Sequence, residues 1–266
     1  MPSDLIDERL IGALHVRALD RAGFAHEPAK EHAAFQVSTL DALMAGSYDG
    51  DTTVGELLGH GDLGIGTIAA LDGELVVVDG AACVVDGDAR VHPVDADTTT
   101  PFAVVCRFAP LLEQAVDGPL SLAGLHERIG QLASIGLVVV AVRVDGTFSH
   151  LRLRSVARQQ PPYPPLAEVT AHQREWVVPE AEGSLVGFRF PDAAAGLEVP
   201  GFHLHFLSAD RSTGGHVLDL TVDTARIQID GADEVHVELP PHVGLGRPGA
   251  ADRVAIARVE GSRDPD

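Results

Sequence analysis

Apolar residues recur mostly at every second position, or in short unbroken runs punctuated by Asp-Gly pairs, and only a few stretches keep helical spacing. Asp-Gly occurs at 72–73, 79–80, 86–87, 145–146 and 230–231, each time between β-prone runs, and predicts tight hairpins there. The sheets are therefore expected to be largely antiparallel. Leu5, Ile6, Leu10, Leu14 and Leu19 follow helical spacing and predict a helix in an appended N-terminal extension, residues 1–33, broken by Pro28. Ser38 or Thr39 is placed to cap a helix over Leu40–Ala45, and Thr53 precedes a helical run over Val54–Leu58. Pro119–Ser134 carries Leu122, Leu125, Ile129 and Leu132 on one helical face. Ile135–Val144 and Thr147–Val156 read as hairpin partners, Leu166–Trp176 as a helix, Gly183–Phe190 as a strand and Asp192–Leu197 as a short helix.

These elements give an expected α+β fold of mostly antiparallel or mixed β-sheets with short helices. The proline-rich stretch QQPPYPP, Gln159–Pro165, divides the compact part into an N-terminal half, 34–160, and a C-terminal half, 161–250, followed by a tail, 251–266. Both halves run strand, short helix and Gly-rich entry to the next strand, the outline that an internal duplication leaves.

The stretch PGFHLHFLSADRSTGGHVLDL, Pro200–Leu220, has the strongest chemical character. Phe202, Leu204 and Phe206 alternate with His203 and His205, so the two imidazoles leave one face of a strand. A four-residue turn over Ala209–Ser212 sets His216, on the returning strand, opposite His205. Three neutral imidazoles with an open position are the ligand set of a catalytic zinc or a related divalent ion. A cupin-type oxygenase holding iron or manganese, with Asp210 as a nearby carboxylate, would use a similar pattern. So would a non-catalytic module in which the metal only pins the hairpin.

Composition narrows the chemistry further. A net charge of −20 argues against nucleic acid and against anionic membrane surfaces, whose phosphates need Lys and Arg. Lys30 is the only lysine, and it lies in a polar stretch, so Schiff-base catalysis and pyridoxal phosphate are excluded and a metal becomes the natural electron sink. Cys83 and Cys106 are too few for a thiolate site or a disulfide framework. The glycines at 61, 64 and 66 precede a hairpin rather than a long helix, which excludes a dinucleotide fingerprint. The first twenty residues hold no apolar run of signal-peptide length, and no segment is apolar for long enough to cross a membrane, so a cytoplasmic location is expected.

PGFHLHF and GGHVLDL, together with FQVSTLDALMAGSYDGD, GDLGIGTIAALDGE, TTTPFAVV, DGTF and RSVARQQPPYPPL, resemble the α-acetolactate decarboxylase family over roughly Phe35 to Ile229, with motif order preserved. The resemblance implies a two-part α+β fold, commonly dimeric, and decarboxylation of 2-acetolactate to acetoin and carbon dioxide. It implies that His203, His205 and His216 hold Zn2+, that Glu74 of LDGE lies beside the metal, and that Arg154 of RSVARQ faces the substrate. It further implies that Thr67 of GIGT lines the pocket and that a glutamate of the tail, Glu260 in RVEG, completes the site. The partner expected is a small-molecule substrate, in a likeness that also implies a homodimer. In this chemistry two electrons remain on the carbon that loses carbon dioxide, and a metal holding the hydroxyl and ketone oxygens stabilises the enediolate as a Lewis acid. The proton that quenches it would come from Glu74 or Glu260, a choice the sequence leaves open.

Overall fold

The structure, a computed structural model, describes residues 15–19 and 21–239 together with Ile256 and Val259. An eight-stranded sheet runs in the order His15–Leu19, Glu234–Glu238, Ala33–Val37, Phe102–Cys106, Leu63–Thr67, Glu74–Val78, Ala81–Val85 and Val91–Pro93. Its first three strands are parallel and the rest antiparallel. The six-stranded sheet is built on two long strands, Val139–Ser155 and Gly214–Ala232, paired along most of their length. On their other edges lie Ala181–Phe190, Arg174–Val178, Gly201–Ser208 and Leu112–Ser121. Because Ala181–Phe190 also pairs with Gly201–Ser208, four of these strands close a circuit, and Leu112–Ser121 and Arg174–Val178 pair with edge segments of its two long strands.

Alternation along each strand supplies three apolar layers. Ile65, Val76, Val186, Phe188 and Leu207 meet between the two sheets. The other face of the six-stranded sheet buries Phe148, Phe206 and Val222 under Leu125 and Ile129 of the helix Leu122–Leu132. The other face of the eight-stranded sheet buries Phe35, Leu75 and Val77 under Phe24, Val54 and Leu57, which come from the helices Arg21–His26 and Val54–Leu58.

Local chemistry explains most boundaries. Thr39 accepts a hydrogen bond from the Ala42 amide and starts Leu40–Met44, and Thr53 forms a reciprocal capping box with Glu56. Ser121 caps Leu122–Leu132. Asp79 and Gly80, both at positive φ (52° and 72°), turn Glu74–Val78 into Ala81–Val85, the geometry for which Asp-Gly is suited.

Four expectations are corrected. His15–Leu19 is a strand, not the end of a helix, because pairing with Glu234–Glu238 and burial of Leu19 and Phe24 outweigh helical spacing; the ordered fold therefore starts before Ala34. Residues 5–14 of that expected helix lie outside the described residues. Asp145-Gly146 and Asp230-Gly231 do not turn. Each lies inside a long strand, and a Cβ on Gly146 would sit 2.2 Å from the Thr224 carbonyl oxygen, so glycine there permits a close strand crossing. Helix Leu166–Thr170 stops early, and Arg174–Val178 is a strand whose Trp176 pairs with Leu153. Finally, Ile135–Val144 and Thr147–Val156 are not hairpin partners but run into the single strand Val139–Ser155, which joins the six-stranded sheet together with Leu112–Ser121, while Glu234–Glu238 joins the eight-stranded one.

A candidate metal centre facing a buried ion pair

The hairpin of Gly201–Ser208 and Gly214–Ala232 turns through Ala209–Ser212, with the Ser208 amide bonded to the Thr213 carbonyl, and this register sets His216 opposite His205. Arg154, on the neighbouring long strand, is in turn opposite His216, so Arg154, His216 and His205 form one row across three strands. His203 stands two residues along the same face. On the other side of Gly201–Ser208, Gly187 of Ala181–Phe190 pairs with Leu204, and a Cβ there would lie 2.0 Å from the His203 carbonyl oxygen, so only glycine fits without a shift of the strand.

His203, His205 and His216 are all buried, and their ligand atoms lie within 4.8 Å of one another. Their ring centroids form a near-equilateral triangle with sides of 5.1, 5.1 and 5.3 Å. The His205 Nδ1–H donates to the Leu75 carbonyl at 2.8 Å, which fixes the tautomer and turns Nε2 inward. Burial holds His205 well below the usual imidazole range, His203 and Arg154 push the same way, and the Leu75 carbonyl opposes them. The ring is thus neutral and able to ligate near neutral pH. Its Nε2 is enclosed and makes no hydrogen bond among the described residues. An enclosed lone pair without a donor, beside two more imidazoles, fits a divalent cation.

The facing sheet contributes the acidic side. Thr67 and Glu74 pair directly across the Leu63–Thr67 and Glu74–Val78 strands, both buried. Arg154 Nη1 donates to Glu74 Oε1 at 2.7 Å, and Glu74 Oε2 lies 3.4 Å from His205 Nε2. The Glu74–Arg154 pair is almost wholly enclosed. The Thr67 hydroxyl donates to the Gly73 carbonyl at 2.7 Å, which anchors the turn leading into Glu74. Thr67, Glu74, Arg154 and His203 line one pocket whose remaining wall is largely apolar, including Leu71, Phe102, Val156 and Val259.

Val259 brings the tail to this pocket, and Ile256 packs beside it with Leu40, Tyr48 and Leu166. Glu260 lies outside the described residues. Asp210, the carboxylate considered for an oxygenase site, instead accepts from the Ser208 hydroxyl and the Ser212 amide in the exposed turn. Among the described residues the cluster has three candidate ligands rather than a closed set of four. Sequence reasoning missed the apolar wall, which is assembled from distant segments, and Glu198, a fully buried acid in the otherwise apolar run GLEVPGF. No helix among the described residues is long and apolar enough to cross a membrane.

Comparisons with known proteins agree with this geometry. The profile of the alpha-acetolactate decarboxylase family matches residues 34–244. A protein of that name from Methylococcus capsulatus is 43% identical over 211 residues, covering 79% of this chain and 81% of its own. One from Brevibacillus brevis is 38% identical, covering 81% of this chain and 76% of its own. The crystal structure of alpha-acetolactate decarboxylase from Bacillus subtilis strain 168 superposes with a TM-score of 0.82 at 31% identity, covering 86% of this chain and all (100%) of that one. With a match that spans both sheets, the ligand hairpin and the Glu74–Arg154 pair, the chain belongs to the alpha-acetolactate decarboxylase family of enzymes.

Proposed function

We propose that the chain converts 2-acetolactate to acetoin and carbon dioxide, with a zinc ion held by His203, His205 and His216. The observation that carries this reading is the convergence of three buried imidazoles beside the Glu74–Arg154 pair, with His203 lining the same pocket as Glu74 and Arg154. When bound there, zinc would supply Lewis-acid stabilisation of the negative charge that builds on the substrate's oxygens as the carboxyl group leaves.

The protein's own groups do the rest. Arg154 presents a planar fork to the substrate carboxylate and orients it. One of its donors is already committed to Glu74, which tempers its grip. That matters because a group that bound the carboxylate more tightly than the transition state would slow its departure. Glu74 relays the proton that the carbon takes up in place of carbon dioxide, and because it approaches from one wall of the pocket, the product forms with one handedness. The apolar wall of Leu71, Phe102, Val156 and Val259 accommodates the substrate's methyl groups and excludes water. The same reading takes the working form to be a cytoplasmic homodimer.

Anaerobic incubation of the purified protein with acetolactate tests this function. Acetoin should form at the aerobic rate. Oxygen-dependent turnover, or none under either atmosphere, would reject a decarboxylase and favour an oxygenase or a non-catalytic module respectively.

A further inference from the structure

Glu198 lies outside the pocket and outside the row of site residues, yet its carboxyl group is fully buried. It precedes the ligand hairpin, in a short turn whose Leu197 and Glu198 amides both donate to the Ala194 carbonyl. Oε1 accepts the Val199 amide at 3.0 Å, while Oε2 has no hydrogen-bond partner among the described residues. An acid in such a place is costly unless a donor or a positive charge compensates it. Beyond the Val199 amide, His203 faces the carboxylate: its Nδ1 lies 3.6 Å from Glu198 Oε1, just beyond hydrogen-bonding range. His203 also lines the pocket, so its ring has one nitrogen toward Glu198 and another edge toward the site.

Resting on the metal reading above, we propose that Glu198 is a positioning residue for the metal centre. It receives the His203 Nδ1–H, fixes the tautomer that offers Nε2 as ligand, and places a negative charge behind that ligand. A carboxylate behind a ligating imidazole raises its basicity and locks its orientation, and removing such a partner typically weakens metal binding about 10- to 100-fold. The same burial makes Glu198 a liability in the metal-free protein. Part of its cost is met by the Val199 amide, and a cation on the far side of His203 offsets more of it, which couples the acid to metal loading.

That coupling gives the test opposite signs in two readouts. Zinc affinity is measured by competition with a chromophoric chelator, and thermal unfolding is followed on the metal-free protein, for the parent, Glu198→Gln and Glu198→Ala. Glu198→Gln keeps the shape and one acceptor, which guards against loss of the fold. The expected result is a zinc Kd raised about 10- to 100-fold in Glu198→Ala, with a smaller rise in Glu198→Gln, while the metal-free Tm is unchanged or higher. Zinc Kd values within about twofold of the parent, with a lowered metal-free Tm, would make Glu198 a purely structural residue and overturn the proposal. A parent that binds no zinc would instead reject the metal reading itself, so the two failures are distinguishable.

Discussion

His205→Ala should lose zinc binding at ordinary assay concentrations and lower acetoin formation by roughly a thousandfold or more. The estimate follows from the several kcal/mol of charge stabilisation that a metal contributes to a developing oxyanion, since about 4 kcal/mol corresponds to roughly three decades in rate. His205 is the ligand to choose because its tautomer is fixed by the Leu75 carbonyl and its Nε2 has no other hydrogen-bonding role among the described residues. The substitution also removes the His205 hydrogen bond to that carbonyl, at a cost of about 1 kcal/mol, which a domain stable by about 5–15 kcal/mol can bear. Zinc content and turnover are therefore both referred to the folded fraction, checked by circular dichroism. Loss of zinc with turnover unchanged would remove the metal from the reaction.

Glu74→Gln should retain zinc while lowering kcat about 10²- to 10⁴-fold, the usual range for a positioned proton donor or acceptor. A competing effect must be separated from this one. Arg154 and Glu74 are both almost fully enclosed, and leaving a buried guanidinium without its anion costs about 3–5 kcal/mol of stability. A displaced Arg154 would show mainly as a raised KM, since its proposed partner is the substrate carboxylate; a missing proton relay shows as lowered kcat. Unchanged kcat with raised KM would leave Glu74 as the residue that positions Arg154 and no more.

Much of this site was legible from short-range pattern, and the reasons are physical. Period-2 alternation placed His203 and His205 on one face, and the length of the Ala209–Ser212 turn fixed the register that brings His216 opposite His205. Thr39, Thr53 and Ser121 marked helix starts because a side-chain oxygen satisfies an otherwise unpaired amide. Long-range packing was not legible. Asp79-Gly80 and Asp145-Gly146 look alike in sequence, but the first turns a hairpin and the second lets two long strands cross closely. Nothing local distinguishes them. Helical spacing likewise continued past Thr170, whereas the free edge beside Leu151–Ser155 drew Arg174–Val178 into the sheet. The burial of Glu74 had no local signal either, since an acid after an Asp-Gly turn is ordinarily solvated; Arg154 and His205, from distant strands, approach and enclose it.

The most direct measurement of the account strips divalent ions from the pure protein with a chelator, assays acetoin from acetolactate, and then restores zinc. Activity should vanish on stripping and return in proportion to added zinc, saturating near about one ion per chain. Acetoin formed at the full rate by protein shown to be free of metal would contradict it.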